Sequence, residues 1–263
     1  MIGVRLRGGL GNQLFQYAAA RALASVRSTE VVADVSHYKT DRKRRYLLER
    51  LVACPRIANP EELAGLRLCR EKSFRFDSLA GAKDGSLLDG YWQSYRYFDS
   101  IREMLLKELR PGNPSAAASS ASEISGLHSV SVHVRRGDYA SDPLTNRYHG
   151  LCGVDYYQAA IERVTKLVPE ARFFLFSDDP GWTEKHVLPL APHGRLVGPH
   201  ANEEDDLWLI SLCHHHIIAN SSFSWWGSWL SKNPSKITCA PKQWFAGAGL
   251  DTSDLIPETW TRI

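Results

Sequence analysis

The sequence predicts an α/β protein made of two Rossmann-like halves, each containing a parallel sheet. Strand-like apolar runs alternate with helix-like segments in both halves of the chain. The 263 residues are enough to bury two cores of modest size. One segment rich in Ser, Ala and Pro has no hydrophobic periodicity, so we predict the domain boundary there.

The N-terminal half begins with a βαβ unit. Its pattern predicts a strand, a glycine-rich turn, an alanine-rich amphipathic helix and a second strand, at 2–6, 7–12, 13–26 and 30–35. Residues 38–110 are less regular, and helical pieces are expected around 60–70 and 97–109.

The predicted linker spans residues 111–126 and separates domains 1–110 and 127–263. In the second domain, strands and helices alternate regularly, which favours a doubly wound sheet. The predicted strands are 129–135, 172–177, 195–198, 216–220 and 236–240, and the predicted helices are 155–168, 181–188, 203–213 and 223–231.

The composition excludes several classes of protein. A formal net charge of +3 is too small to indicate a nucleic-acid-binding protein. The five cysteines are scattered without CxxC spacing, which favours a reducing, cytoplasmic location. No apolar run resembles a signal peptide or approaches the length of a membrane span, so we expect at most peripheral contact with the inner membrane surface.

Charged side chains follow the predicted strand at 129–135. Arg135, Arg136 and Asp138 come at its carboxyl end, where open parallel sheets bind their ligands. Two adjacent guanidiniums match the oxygens of a diphosphate. The alternative is a pair of surface arginines neutralised by Asp138.

A second anion-binding feature is the stretch ANSSFSWWGSWL at 219–230. A strand ends there, a serine caps the next helix, and the N–H groups of such a helix start bind anions. The alternative is an ordinary cap before a buried helix, and most of Trp225, Trp226 and Trp229 are expected in the core. Because both features follow strands of one sheet, they could converge on the same phosphates.

The glycine-rich turn RGGLGNQ at 7–13 is a third feature. It is a poor dinucleotide fingerprint because Leu14 stands where a third glycine is required. Its glycines still let a ligand approach the backbone, and Asn12 or Gln13 could bind that ligand at the helix start.

Five stretches carry a resemblance to a known family, and in chain order they are GGLGNQLFQYAAARAL, HVRRGDY, FSDD, IIANSSFSWWGSWL and KQWF. Together they strongly resemble the bacterial α-1,2-fucosyltransferase family over residues 3–245. The resemblance implies a GT-B-type fold with the active site in the cleft between two Rossmann-like halves, the acceptor belonging to the first half and GDP-fucose to the second. It further implies inverting transfer to the 2-hydroxyl of a terminal β-galactoside, without a metal or other cofactor.

The resemblance also implies roles for individual residues. Arg135 and Arg136 would neutralise the leaving diphosphate, which the helix end would also hold through Ser221, Ser222 and Phe223. His133 and Asp206 would bind guanine, and Asp178 would lie near the ribose or the fucose. Asn12 would face the donor from the N-terminal half.

Inversion requires a group that takes the proton of the acceptor hydroxyl. Asp138 is the first candidate for this base. The alternative is that Asp138 orients Arg136 or caps the next helix.

The acceptor pocket is expected to involve residues 38–110 and the loop 140–150. Tyr91, Trp92 and Tyr95 could stack on galactose, and a role in the core is the alternative for all three.

Two further patterns are assigned no role in catalysis. The stretch CHHH at 213–216 lacks a matching ligand pair, so no metal site is predicted. The basic stretch DRKRR at 41–45 is interpreted as a solvated loop, with contact to anionic lipid or to a charged or lipid-linked glycan carrier as the alternative.

Two other functions stay open from the sequence. One is a GDP-fucose-dependent fucosyltransferase of another linkage. The other is a non-catalytic carbohydrate-binding protein, which only the aromatic content supports. GDP binding separates this last class from the enzymes.

Overall fold

The computed structural model describes residues 1–51, 54–110, 118–125, 128–198, 202–247 and 249–263. The chain divides into two compact units, Met1–Gly112 with Asp251–Pro257 and Asn113–Leu250 with Glu258–Ile263. Asp254 connects the segment Asp251–Pro257 to the rest of the first unit. Its carboxylate accepts hydrogen bonds from the backbone N–H of Phe76 at 3.1 Å and from the Arg96 guanidinium at 2.9 Å.

The first unit contains a five-stranded parallel sheet in the order β3-β2-β1-β5-β4. Its strands are β1 Ile2–Arg5, β2 Val31–Asp34, β3 Arg56–Ile57, β4 Arg67–Arg70 and β5 Ser86–Asp89. Its helices are α1 Leu10–Arg27, α2 Pro60–Ala64 and α3 Arg102–Glu108. The predicted βαβ unit is therefore confirmed, and α1 is buried along most of its length by its alanines and leucines.

The prediction of a helix over 60–70 is wrong in its second half. A capping box at Asn59 and Glu62 starts α2, which ends at Ala64. Arg67–Arg70 is instead the edge strand β4, paired in parallel with β5. A strand of four residues carries too little periodicity to be distinguished from a helix turn, and only the pairing with β5 decides it.

The second unit contains a six-stranded parallel sheet in the order β11-β10-β9-β6-β7-β8. The strands are β6 Ser129–Val134, β7 Arg172–Ser177, β8 Arg195–Leu196, β9 His215–Ile217, β10 Thr238–Ala240 and β11 Thr261–Arg262. This is the strand order of a dinucleotide-binding Rossmann sheet. The predicted α/β fold with two Rossmann-like halves is confirmed.

Helices cover both faces of the second sheet. The helices described in the second unit are α4 Ala118–Ser125, α5 Gly137–Ser141, α6 Pro143–His149, α7 Val154–Leu167, α8 Pro180–His186, α9 Glu203–Leu212 and α10 Ser222–Trp229. In β7, Phe173 and Leu175 join one core cluster, which includes α7. Phe174 and Phe176 join another, which includes α4 and α9. This alternation explains why β7 is a nearly continuous apolar run.

Two segments predicted to lack regular structure are helical in part. The loop 140–150 is largely occupied by the end of α5 and by α6, which Asp142 caps by accepting from Leu144 and Thr145. Residues 118–125 of the predicted linker form α4, whose Ala121 and Ile124 are buried in the second unit. Because α4 consists mostly of Ala and Ser, its sequence lacks the hydrophobic periodicity that would predict this burial.

The predicted domain boundaries stay a prediction. Residues 111–117 and 126 of the predicted linker lie outside the described residues. Within the described part of the chain, no helix combines the length and the hydropathy needed to cross a bilayer. All five cysteines are free thiols.

Candidate functional site

The second sheet changes direction of winding between β6 and β9. The chain builds β6, β7 and β8 toward one edge and then returns to place β9 on the other side of β6. Ligands of open α/β sheets bind beyond the carboxyl ends of the strands at such a point. Arg135 follows β6 directly, and Ser221 follows β9 after a short connection.

Arg135 is held by two carboxylates. Its Nη2 donates to Asp138 Oδ1 at 2.5 Å, and its Nη1 lies 2.8 Å from Asp178 Oδ2. The guanidinium carbon also lies 5.3 Å from the ring centroid of Tyr139. Burial opposes the charge of Arg135, but the two carboxylates outweigh it and keep its pKa above the ordinary value. Arg135 is therefore a preorganised, permanently charged group.

Arg136 is fixed through both its backbone and its side chain. Its backbone N–H donates to Asp178 Oδ1 at 2.8 Å, and its Nε donates to Asp179 Oδ2 at 3.2 Å. Its guanidinium lies 4.0 Å from the ring centroid of Trp182, a cation–π distance. The end of β7 thus positions both arginines.

Gly137 makes this arrangement possible, and sequence reasoning missed it. A Cβ at this position would lie 2.5 Å from Asp178 Oδ2 and 3.1 Å from its Cγ. Any side chain here would push away the carboxylate that binds Arg135. The glycine in the stretch HVRRGDY was the available signal.

Asp138 contacts Arg135. It also lies in the first turn of α5, where a carboxylate favours the helix start. This contact supports the orienting role that was the alternative to a base, but with Arg135 as the partner.

His133 is buried at the end of β6. Burial, together with the charge of Arg135, lowers its pKa to about 4, so the ring is neutral at physiological pH. Its ring centroid lies 5.5 Å from that of Phe223. Its Nδ1 is buried and has no hydrogen-bond partner among the described residues. A neutral ring with an unused nitrogen is suited to one hydrogen bond with a ligand.

The start of α10 is arranged differently from an ordinary capped helix. Ser221 is the N-cap residue, but its side chain accepts no hydrogen bond from the first turn. Ser224 instead turns its hydroxyl back onto the carbonyls of Ala219 and Ser221, at 3.4 and 3.2 Å. Ser222 and Phe223 are partly exposed at this end. The interior of α10 is core, as expected, since Trp225, Trp226 and Trp229 are buried.

Asp206 lies in the first turn of α9 and is partly exposed. The acidic residues before it, Glu204 and Asp205, are buried. Its predicted contact with guanine stays a prediction.

The candidate residue of the first unit is Asn12. Its Oδ1 accepts a hydrogen bond from the Nε2 of buried Gln93 at 2.8 Å, which fixes the orientation of the amide. Asn12 follows β1 and Gln93 follows β5, so the two meet where the first sheet changes its direction of winding. Gly8, at φ 79°, leaves no room for a Cβ beside Asn12. Gln93 gave no signal in the sequence.

Gln13 has a structural role. Its Nε2 donates to the carbonyls of Gly8 and Arg45 at 3.0 and 2.8 Å, and its Oε1 accepts from the backbone N–H of Leu47. Its amide therefore joins the glycine-rich turn to the loop at 45–47.

Three histidines of the CHHH stretch are bonded to neighbouring strands and loops. His214 and His216 contact the hydroxyls of Ser129 and Ser131 on β6 at 3.1 and 2.9 Å, and His215 Nδ1 accepts from the backbone of Ile237. Burial lowers the pKa of His216 well below the ordinary value. Among the described residues, no three metal-ligating side chains form a cluster.

Comparison with known proteins identifies the family. The model of glycosyl transferase family 11 matches residues 64–263. The chain belongs to glycosyl transferase family 11. This confirms the resemblance to the bacterial α-1,2-fucosyltransferase family.

The relatives of this glycosyl transferase include two proteins of Escherichia coli. The α-1,2-colitosyltransferase is 34% identical, and the alignment covers 100% of this chain and 99% of the relative. The O-antigen biosynthesis glycosyltransferase WbnK is 30% identical over 98% of this chain and 99% of its own. A galactoside 2-α-L-fucosyltransferase of Caenorhabditis elegans is 27% identical over 100% of this chain and 79% of its own.

Solved structures share the fold at low sequence identity. POFUT1 in complex with GDP aligns with a TM-score of 0.56 and 12% identity, over 91% of this chain and 97% of its own. The NodZ α-1,6-fucosyltransferase aligns with a TM-score of 0.51 and 17% identity, over 87% of this chain and 92% of its own. The predicted GT-B-type fold is confirmed.

Proposed function

We propose that this glycosyl transferase moves L-fucose from GDP-fucose to the 2-hydroxyl of a terminal β-galactoside, with inversion at the anomeric carbon. The observation that carries the proposal is the pair Arg135 and Arg136, held by carboxylates at the point where the second sheet changes direction. Two fixed guanidiniums after β6 and a helix start after the neighbouring strand β9 together suit the diphosphate of a nucleotide sugar.

The charge of the diphosphate grows when the bond between fucose C1 and the phosphate oxygen breaks. Arg135 and Arg136 would stabilise this charge from fixed positions, which is the most effective form of electrostatic catalysis. The N–H groups at the start of α10 would add partial positive charge. With this charge already in place, we propose that transfer proceeds without a divalent metal.

The new bond forms between galactose O2 and fucose C1, on the face opposite the leaving GDP. The proton of the galactose hydroxyl passes to a base, for which Asp138 stays the candidate.

The test is a transfer assay with GDP-fucose and lactose or Gal-β-1,3-GalNAc, followed by NMR linkage analysis. We expect α-linked fucose on galactose O2. Fucose on another oxygen would instead support the alternative of a fucosyltransferase with a different linkage. A protein that binds these sugars but not GDP, as measured by calorimetry, would be a carbohydrate-binding protein and not an enzyme.

A second donor sugar is favoured by one observation. The relative with 34% identity is named an α-1,2-colitosyltransferase. Colitose is L-fucose without the 3-hydroxyl, so a pocket that makes no hydrogen bond to this hydroxyl can accept either sugar with a modest difference in affinity. Assays with the nucleotide-activated forms of both sugars, in competition, measure which one the enzyme prefers.

Metal independence has its own test. Transfer is expected to continue in excess EDTA, because arginines and a helix start supply the positive charge. Complete loss of turnover on chelation, with recovery on adding Mn²⁺ or Mg²⁺, would contradict the proposal.

The acceptor glycan could be carried on a lipid, and the basic stretch at 41–45 is the candidate contact. The side chains of Arg42, Lys43 and Arg45 are exposed, while Asp41 fixes the turn by accepting from the backbone of residues 43 and 44. Co-sedimentation with vesicles containing an anionic lipid tests this alternative, and neutral vesicles serve as the control.

A further inference from the structure

Four rings of the second unit form a continuous group, which we call the aromatic platform: Tyr139, Tyr148, His149 and Phe245. Tyr139 and His149 stack with centroids 4.4 Å apart and an interplanar angle of 10°. Tyr148 packs edge-on against His149 at 4.8 Å, and Phe245 lies 5.1 Å from Tyr148.

The aromatic platform begins at the candidate diphosphate site. The Arg135 guanidinium lies 5.3 Å from the ring of Tyr139, which stacks on His149, which in turn contacts Tyr148. These successive contacts lead from the arginine to the protein surface.

Hydrogen bonds hold the aromatic platform rigidly. The amide of buried Asn220 donates to the carbonyls of His149, Gly150 and Trp244 at 2.8, 3.4 and 3.2 Å. The backbone N–H groups of residues 246 and 247 donate to the carbonyl of Tyr148 at 3.0 and 3.2 Å. Asn220 directly precedes Ser221, so the same junction supports the helix start of α10. A rigid, prepositioned surface loses little entropy when it binds a ligand.

The outer part of the platform faces solvent. Tyr148 is 48% exposed, and Leu144, one turn earlier on the same face of α6, is 79% exposed. Tyr139 and His149 are only partly exposed, so they form the inner part. Exposed aromatic and apolar side chains side by side commonly mark a binding surface.

We propose that the aromatic platform binds the acceptor galactose, with Tyr148 stacking on the apolar face of the sugar ring. The axial 4-hydroxyl of galactose leaves C3, C4, C5 and C6 as one apolar face, which suits an aromatic ring. The acceptor is favoured over the donor sugar because Tyr139 and His149 separate Tyr148 from Arg135. This inference rests on the proposed function and names the residue that selects its acceptor.

The experiment compares Tyr148→Ala, Tyr148→Phe and the wild-type enzyme in steady-state transfer to lactose. We expect Tyr148→Ala to raise the KM for lactose about tenfold, the loss of one aromatic stacking contact. The KM for GDP-fucose and the rate of GDP-fucose hydrolysis without acceptor should stay unchanged. Tyr148→Phe should retain the wild-type KM for lactose, because the ring and not the hydroxyl makes the contact.

Two further variants sharpen the comparison. Leu167→Ala removes another exposed apolar side chain, at the end of α7, and should leave both KM values unchanged. Tyr91→Ala tests the competing candidate of the first unit. A raised KM for lactose in Tyr91→Ala and a normal one in Tyr148→Ala would overturn the proposal. Faster or slower donor hydrolysis in Tyr148→Ala would also overturn it, since the platform would then serve the donor.

A direct measurement of lactose binding tests the aromatic platform independently of catalysis. A lactose titration followed by saturation-transfer NMR on the GDP-bound protein should give a dissociation constant about tenfold higher for Tyr148→Ala than for the wild type. If the wild type binds lactose but transfers no fucose, the proposed function fails while the platform stands. If both proteins bind lactose equally well, the platform fails whatever the reaction is.

Discussion

Arg135 uses two different nitrogens for two different carboxylates, those of Asp138 and Asp178. This geometry separates it from an ordinary surface arginine, because each carboxylate limits the rotation of the planar guanidinium. The N–H groups that the carboxylates do not use are thereby held in fixed directions, and we expect them to donate to the diphosphate. The candidate site depends as much on these carboxylates as on the arginines.

Arg135→Lys is expected to reduce kcat/KM strongly. A single ammonium group cannot serve both carboxylates and the phosphates, so about 2–4 kcal/mol of transition-state stabilisation should be lost. Steady-state kinetics measures the loss. Arg195→Lys is the matched control, since Arg195 pairs with Glu123 in the same unit without a role at the site. Normal kcat in a folded Arg135→Lys enzyme would remove Arg135 from the mechanism.

Gly137→Ala tests the positioning of Asp178. The added Cβ would lie 2.5 Å from Asp178 Oδ2, so the carboxylate must move away from Arg135. Because a small misplacement of a catalytic group is costly, we expect kcat to fall on the order of 10–100-fold. Thermal stability should hardly change, since alanine favours the helix that begins at this residue.

The control for Gly137→Ala is Gly181→Ala. A Cβ at Gly181 meets no atom within 4 Å, so its kcat should equal that of the wild type. Equal kcat in both variants would show that Asp178 tolerates the displacement and does not position Arg135.

Among the elements, the junction between β9 and α10 connects several parts of the second unit. Asn220 at this junction binds three carbonyls, and these carbonyls come from the end of α6 and from the loop before residue 245. This junction therefore links the start of α10 to the aromatic platform. Its burial means that water cannot replace these hydrogen bonds.

Asn220→Ala should lower the free energy of unfolding by about 1–3 kcal/mol, because it leaves buried carbonyls without a donor. Urea denaturation measures this difference. Asn233→Ala is the control, since Asn233 is partly exposed and its amide donates to the single carbonyl of His214. A larger loss of stability in the control than in Asn220→Ala would contradict the role assigned to the junction.

For the whole molecule, buried neutral histidines couple stability to pH. The pKa of His133 is lowered to about 4 by burial, and burial also holds the pKa of His216 well below its ordinary value. In the unfolded chain, histidine takes up a proton near pH 6.5. Between these pH values the unfolded chain binds more protons, so stability is full above pH 6.5 and falls as the pH drops toward 4.

We therefore expect the free energy of unfolding to fall on the order of a few kcal/mol from pH 7 to pH 4.5. Urea denaturation at several pH values measures the slope. His216→Asn should reduce that slope, while replacement of the exposed His193 by Asn should leave it unchanged. Identical slopes in all three proteins would contradict this account.

The sequence by itself determined the fold class, the family and the position of the arginine pair. These follow from local patterns: strands alternating with helices, a glycine-rich turn, and charged residues directly after a strand. The sequence did not predict the strand Arg67–Arg70 or the helices α4 and α6, since short elements and small residues carry little hydrophobic periodicity.

Only the tertiary structure decided what holds the candidate residues. Asp178 lies 42 residues after Arg136, and Gln93 lies 81 residues after Asn12. Asp178 reaches the arginines only because β7 pairs beside β6, and Gln93 reaches Asn12 only because β5 pairs beside β1. Contacts this distant depend on the order and register of the strands, which cooperative packing of the whole sheet sets and no local sequence pattern encodes.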